Sequence, residues 1–146
     1  MRCSGIVSGK RIITACADGF LIFWDSRSPT PVFKLGPSNT RFDLGGITSL
    51  GVNPSSTLAV VGGESGGIRI VSLSKGDVIG ALAGHTEDES VEAIGFVELP
   101  GGAAVVSAGT DGQAHIWDLN TMRKRATLAH EDVSTAHLRL GCCRLT

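Results

Sequence analysis

Three residues of the chain, His85, Ser107 and Asp111, carry the side chains of a nucleophilic hydrolase. In such a site the histidine takes the proton of the serine hydroxyl, the aspartate orients the imidazole, and nearby donors stabilise an oxyanion. Here, however, the three positions belong to a sequence repeat and stand at its fixed offsets. We therefore predict that they have a structural role and that the protein is not an enzyme.

Residues that bind metals or phosphate in other proteins lack the required spacing here. The cysteines form no C-x-x-C pair and no zinc-like set with histidine; they are Cys3, Cys16, Cys142 and Cys143. His130 and His137 are isolated from acidic or cysteine partners. The glycine-rich run Val61–Gly67 lacks the Gly-Lys-Ser/Thr ending of a phosphate loop. We expect neither a metal nor another cofactor.

Composition excludes several classes of partner. The chain has 146 residues, and its 13 Lys and Arg against 14 Asp and Glu leave no global basic field, so we expect no direct nucleic-acid binding. No apolar run approaches membrane-spanning length, and the first residues lack the apolar core of a secretory signal. Unpaired thiols suit a reducing compartment. These features predict a cytoplasmic protein, with the nucleus as the alternative.

The elements that position these side chains come from an internal repeat. Three segments align with one another: Arg11–Asp25, Leu58–Ser72 and Ala104–Asp118. In each, a β-branched run meets a tight turn, and a second run ends five residues past the turn glycine, at Trp24, Val71 or Trp117. A constant offset at a period of about 46 residues indicates stacked copies of one small β unit.

Each unit is predicted to contain a hairpin. Its turn is Asp18-Gly19, Ser65-Gly66 or Asp111-Gly112, and Asp-Gly between β-rich runs favours a primed turn, in which both residues have positive φ. A polar turn and an apolar outer strand follow each hairpin. Ile47–Val52 and Val91–Val97 precede the second and third hairpins and supply an inner strand. A complete unit is therefore a four-stranded sheet.

The repeat resembles the WD-repeat family. Trp24-Asp25 and Trp117-Asp118 match the dipeptide of that family, and Gly84-His85 matches the Gly-His motif that opens its repeat. The resemblance implies an all-β fold of the WD40-type β-propeller class. It also implies a structural hydrogen-bond network in the third unit, through His85, Ser107, Asp111 and Trp117.

The other two units keep less of that network. The first retains Thr14, Asp18 and Trp24, which we assign to the same structural role. The second has Val61, Ser65 and Val71 at these positions and retains almost nothing of it.

The unit boundaries predict a partial propeller of about two and three-quarter blades over residues 1–140. A remnant of the first blade with three strands covers 8–35, full blades cover 46–82 and 90–128, one further strand covers 135–140, and an atypical tail covers 141–146. Propellers usually have about four to eight blades, because closure protects the edge strands. Three explanations fit: a truncated product, which we favour, self-association through open blade edges, or pairing with another chain.

A narrower resemblance is to the angio-associated migratory cell protein family, over roughly 46–140. It rests on Ser90–Phe96, on Ala104–Thr121, on the unit that reads Ile70-Val71-Ser72 without tryptophan, and on the acidic insertion before Ser90. That family includes the fungal WD-repeat chaperone of ribosomal protein uL16. The resemblance implies a chaperone for a basic ribosomal protein in large-subunit assembly. The alternatives are a generic scaffold subunit of a signalling, trafficking or ubiquitin-ligase complex, and a non-functional truncated product.

Charge is predicted to be polarised between the two ends of the sheets. In WD propellers the turn between the second and third strands shares a face with the connections between blades. That face, which we call the acidic face, receives eight of the 14 acidic residues: Asp18, Glu64, Glu87, Asp88, Glu89, Asp111, Glu131 and Asp132. The opposite loops hold Lys10, Arg27, Lys75, Arg123 and Lys124, and Arg41 is the one basic residue predicted on the acidic side.

We assign Asp18 and Asp111 to the turns and the hydrogen-bond networks. The predicted protein-binding residues are then Glu64, Glu87, Asp88, Glu89, Glu131 and Asp132. A basic segment is the partner that such a face would attract. The alternative is that these carboxylates are ordinary solvated loop charges.

Overall fold

A computed structural model of the chain describes residues 3–8, 11–82 and 85–129, the first of these as backbone only. Over these ranges every regular element is a strand, which confirms the all-β prediction. Within the same ranges there is no helix that could cross a membrane. The strands are β1 (Cys3–Ser8), β2 (Arg11–Ala15), β3 (Leu21–Asp25), β4 (Pro31–Leu35), β5 (Ile47–Val52), β6 (Leu58–Gly63), β7 (Ile68–Ser72), β8 (Asp77–Leu82), β9 (Val91–Leu99), β10 (Gly102–Gly109), β11 (Gln113–Asp118) and β12 (Arg123–Ala129).

The strands form three four-stranded antiparallel sheets in chain order, β1–β4, β5–β8 and β9–β12. Each sheet is a simple meander, so its first and last strands are its two edges. The third and fourth strands of each sheet pair with a register shift at the same place. It falls between Phe23 and Trp24, between Ile70 and Val71, and between Ile116 and Trp117. The repeat found in the sequence is thus a repeat of whole sheets.

The first sheet has one strand more than predicted. The sequence predicts three strands before Leu35, beginning at residue 8, whereas Cys3–Ser8 pairs with β2 in a register that sets Cys3 opposite Ala15. That segment has a Gly and two Ser beside one Ile and one Val, so its β pattern is weak. The described chain therefore holds three full four-stranded sheets. The strand predicted for 135–140 and the tail 141–146 lie outside the described residues.

The hairpins form where predicted, with a different turn. Gly19, Gly66 and Gly112 have positive φ, at 92°, 88° and 76°, but the residue before each glycine does not. In the first hairpin the Gly19 amide donates to the Cys16 carbonyl, and the Cys16 amide donates to the Phe20 carbonyl. This pattern is a three-residue loop, a type I turn closed by a glycine bulge, rather than a primed turn.

Two apolar clusters join the sheets face to face. The first seam, between the first and second sheets, buries Ile13, Phe23 and Val71, together with Phe42 and Leu44 from the connection that precedes β5. The second seam, between the second and third sheets, buries residues that include Ile68, Ile70, Val105 and Trp117. The second sheet is covered on both faces, and the loops are left to the two ends of the strands.

Candidate functional site

The four residues predicted to form a network in the third unit come together at the second seam. His85 arrives from the connection between the second and third sheets, Ser107 lies on β10, and Trp117 lies on β11. The His85 Nδ1 atom is 3.0 Å from Asp111 Oδ1, and its Nε2 atom is 2.9 Å from Ser107 Oγ. The Trp117 indole donates to the same Ser107 oxygen at 2.8 Å.

One arrangement of protons satisfies every member. The indole N–H donates to Ser107 Oγ, the Ser107 hydroxyl donates to His85 Nε2, and the His85 Nδ1–H donates to Asp111. Asp111 also accepts hydrogen bonds from the backbone amides of Thr86 and Gln113. The His85 ring, bonded through both nitrogens, therefore links the connection to the third sheet.

This Ser–His–Asp geometry matches that of a hydrolase triad, but its surroundings do not suit a reaction. Ser107 is 0% exposed, and its oxygen already accepts the indole hydrogen, so no substrate carbonyl has access to it. The run Gly63–Gly67 also has the letters G-x-S-x-G of a nucleophile turn. In the structure it lies in the hairpin between β6 and β7, and Ser65 Oγ donates to the Leu44 carbonyl. The arrangement holds two sheets together.

Electrostatics keep the Asp111 carboxylate of this network ionised. Burial alone would raise the pKa of Asp111, but hydrogen bonds from the Thr86 amide, His85 and the Gln113 amide outweigh it and lower that pKa. Asp111 therefore stays ionised and accepting at neutral pH.

A second buried histidine, His115, was not assigned a role from the sequence. Its ring lies 4.5 Å from the His85 ring and 5.5 Å from the Trp117 ring, between centroids. Burial, with smaller contributions from His85 and Lys124, lowers the pKa of His115 to about 4. His115 occupies the position of Arg69 in the second unit and Ile22 in the first, so no recurring residue type indicated it.

His85, Asp111 and His115 offer three possible metal ligands within 4.8 Å of one another. Both nitrogens of His85 are already engaged, and His115 Nδ1 lies 3.0 Å from Thr127 Oγ1. A metal ion would have to displace these hydrogen bonds. The chemistry of this donor set therefore favours a hydrogen-bond network over a metal centre.

The second unit replaces the network with apolar side chains. A Cβ on Gly109 would lie 2.7 Å from His85 Nδ1, and a Cβ on the equivalent Gly63 would lie 2.6 Å from Leu44 Cβ. Leu44 therefore takes the place of His85 in the first seam. It is 2% exposed, and Phe42, two residues earlier in the chain, is fully buried. The sequence gives no sign of this exchange, because the leucine is not at a recognisable motif.

The first unit keeps only part of the network. The Trp24 indole donates to Thr14 Oγ1 at 3.0 Å, as Trp117 does to Ser107. Asp18 is exposed, and among the described residues its carboxylate accepts a hydrogen bond only from the Phe20 amide, at 3.4 Å, so it acts as a turn residue. Cys16 stands where the other two units have Gly63 and Gly109.

The acidic residues of the second hairpin and of the connection that follows it form one patch. The Glu64 amide donates to the Gly46 carbonyl, while the Ser65 and Gly66 carbonyls accept from the amides of Asp88 and His85. These bonds bring Glu64, Glu87 and Asp88 around one hairpin, and all three are exposed. Glu131 and Asp132 lie outside the described residues.

Two details of the acidic face differ from the sequence prediction. Glu89 is half-buried and accepts a hydrogen bond from Thr110 Oγ1 at 2.6 Å, so it ties the connection to the third hairpin and is not a free ligand. Arg41 is not the only cation at this end, because Arg69 Nε donates to the Arg41 carbonyl at 2.9 Å. The long side chain of Arg69 carries its charge from β7 to the connection.

Three successive four-stranded meanders, of which the second and third are joined by a buried Trp–Ser–His–Asp network, define a protein of the WD-repeat β-propeller class. The chain belongs to this family: residues 76–118 match the WD domain, G-beta repeat. Its sequence is 32% identical over 130 residues to an uncharacterized WD repeat-containing protein of Schizosaccharomyces pombe, covering 84% of this chain and 31% of that protein. It is 28% identical over 136 residues to the angio-associated migratory cell protein of Homo sapiens, covering 84% of this chain and 30% of that protein.

The solved structures support the same fold. The crystal structure of RRP9 WD40 repeats superposes with a TM-score of 0.79 at 15% sequence identity, over 90% of this chain and 39% of that one. The chain thus spans less than a third of the length of the two relatives above and about two fifths of this structure.

Proposed function

We propose that the protein is a non-enzymatic scaffold whose acidic face binds a basic segment of a partner protein. The observation that carries this proposal is the exposed patch of Glu64, Glu87 and Asp88 around one hairpin. Among the described residues, no ion pair engages these three carboxylates. They are therefore available to attract Lys and Arg side chains over a Debye length of ~8 Å at physiological salt.

The partner that we propose is a basic ribosomal protein, escorted in the cytoplasm during assembly of the large subunit. Support comes from the similarity to the angio-associated migratory cell protein, together with the charge of the acidic face. The opposite end of the sheets supports the polarity, since Lys75, Arg123 and Lys124 are exposed there. Arg27 is also at that end but is paired with Asp25 at 2.6 Å, and it holds the pKa of that carboxyl well below its usual range.

Binding of a basic ribosomal-protein peptide that lacks aromatic residues tests the proposal. We expect retention by the immobilised chain at low salt and a progressive loss as the salt concentration rises. Glu64→Gln and Glu87→Gln should each weaken binding about two- to fivefold at low salt, the range of a single exposed ion pair. The measurement is fluorescence anisotropy with a labelled peptide.

Asp77→Asn is the matched control, because it removes one exposed carboxylate at the opposite end of the sheets. It should leave the affinity unchanged. Binding that does not depend on salt, or an equal effect of Asp77→Asn and Glu87→Gln, would contradict the proposal. Equal retention of an acidic peptide of the same length would do so as well.

A further inference from the structure

We infer a second binding site at the end of the sheets opposite the acidic face, for an extended segment with one aromatic or large aliphatic side chain followed by Lys or Arg. The site is a groove between the second and third sheets, which we call the lower groove. Its lining includes Leu50 and Pro54 from the second sheet and Phe96, Glu98, Ala103 and Leu119 from the third. None of these residues takes part in the hydrogen-bond network or the acidic patch.

The lower groove exists because the second seam closes at one end only. Near the acidic face the seam is sealed by His85, Ser107 and Asp111, whereas Phe96 and Leu119 remain only partly buried at the other end. Two adjoining depressions of about 230 and 330 Å³ share Pro54 and Phe96. Each has room for one large side chain.

Small residues keep this space open. Gly51 lies on the inner strand of the second sheet, where a Cβ would come 3.1 Å from Ile94 and 3.5 Å from the Phe96 ring. Ala103 is exposed on β10 beside the groove. Both walls belong to sheets that are present in the described chain, so the groove does not depend on any further blade.

The charge of Glu98 determines which residue we expect next to the apolar side chain of the bound segment. Glu98 is the one charged residue among those that line the two depressions. It is exposed, and within the described ranges its carboxylate has no hydrogen bond or ion pair. An apolar wall beside an unpaired carboxylate is complementary to an apolar side chain next to a cation.

The test uses the full chain, labelled with ¹⁵N, and the hexapeptide Gly-Ser-Phe-Lys-Ser-Gly. We expect saturable shifts of the Gly51, Phe96 and Leu119 amide signals, with a dissociation constant on the order of 1 mM because the peptide is short and flexible. Replacing Phe by Ala in the peptide should weaken binding about tenfold, since it removes the buried ring. Replacing Lys by Glu should weaken it about threefold at low salt.

Two variants of the protein locate the site. Ala103→Leu should fill the lower groove and abolish the shifts, whereas Ala81→Leu, at an exposed alanine on β8, should leave them intact. Glu98→Lys should reverse the preference, so that the Glu-containing peptide binds more tightly than the Lys-containing one. Ala103, Ala81 and Glu98 are all exposed, so folding should be retained, and a thermal melt followed by circular dichroism checks it.

The proposal fails if the three groove amides do not shift, if Ala103→Leu binds like the parent chain, or if Glu98→Lys does not alter the order of the peptides. Glu87→Gln should not affect this binding. The lower groove can therefore fail while the acidic face binds its basic segment, and the reverse outcome is equally distinguishable.

Discussion

Ser107 is the residue on which the second seam depends most directly, because two buried partners share its oxygen. Ser107→Ala leaves the Trp117 indole N–H and His85 Nε2 without a partner. We expect it to lower the free energy of unfolding by about 2–3 kcal/mol. Ser107→Thr should cost clearly less, since Thr14 makes the same bond to Trp24 in the first sheet. Urea denaturation of the three proteins measures the difference, and equal losses would show that the hydroxyl is not the cause.

His115 gives the same seam a pH dependence. Its pKa is lowered to about 4 in the folded chain from an ordinary value of 6.5, so between these values the unfolded chain binds a proton that the folded chain does not. Stability should therefore fall as the pH drops from 6.5 to 4, by at most about 3 kcal/mol. Asp111 does not interfere, because its own pKa is lowered from 3.8.

His115→Ile, which introduces the residue found at this position in the first unit, should flatten that dependence. Denaturation midpoints at pH 7 and pH 5 make the comparison. If the parent chain and the variant lose stability in parallel between these pH values, the dependence arises elsewhere.

At the residue scale the sequence predicted what recurs. His85, Ser107, Asp111 and Trp117 were identified because a repeat sets their offsets, and the structure brings all four together. The repeat does not point to the roles of three other residues, His115, Arg69 and Leu44, because their residue types do not recur at fixed offsets. Their roles appear only once the two seams are formed.

At the scale of elements, the connection between β4 and β5 does more than join two sheets. Phe42 and Leu44 are driven into the first seam, where they replace the polar network of the second. We expect Phe42→Ala to cost about 3–5 kcal/mol, the range for a fully buried aromatic ring. Val32→Ala, at a side chain that is 54% exposed on β4, should change stability little. Thermal or urea unfolding compares the two variants. Similar losses of stability would mean that the packing of Phe42 in the first seam does not stabilise the fold.

Elements with local signals were predicted well. The second and third hairpins and β5 follow from β-branched runs around Gly turns, and β5 has the predicted bounds. β1 was missed because a short segment rich in Gly and Ser is held by its pairing with β2 rather than by its own pattern. The turn type was wrong because Asp-Gly can also end a type I turn, in which the glycine alone has positive φ.

At the scale of the whole molecule, the three sheets are stacked in series, with one apolar seam between the first and second sheets and another between the second and third. In such arrays stability is close to a sum of unit and interface contributions. The second sheet has an interface on both faces, and its β6 is buried at five of six residues. We therefore expect amides of β6 and β7 to exchange more slowly than those of β2 and β3, where Ile12 is 38% exposed. Native-state hydrogen exchange measures these amide exchange rates. Equal protection of the first and second sheets would contradict the expectation that the second sheet is stabilised by its two interfaces.

Which of the described loops share an end of the sheets was predictable from topology, because strands that alternate in direction send alternate loops to opposite ends. The lower groove was not, since it results from the partial burial of Phe96 and Leu119 at one end of the second seam. A cavity depends on how two sheets are spaced, and a repeat pattern carries no such information.

Similar repeats within one chain carry a risk of misassembly, in which a segment packs on the wrong copy of its own binding surface. The His85 ring fits against Gly109 because glycine has no side chain, and a Cβ at this position would lie 2.7 Å from His85 Nδ1. In the first sheet the equivalent residue is Cys16, which has a Cβ. If the segment that carries His85 packed on the first sheet, its imidazole would therefore clash with the Cys16 Cβ. The Thr14–Trp24 hydrogen bond would otherwise offer it the same kind of partner as Ser107 and Trp117 do in the third sheet. We expect this one side-chain atom to disfavour a misassembled chain in which the segment that carries His85 packs on the first sheet instead of the third.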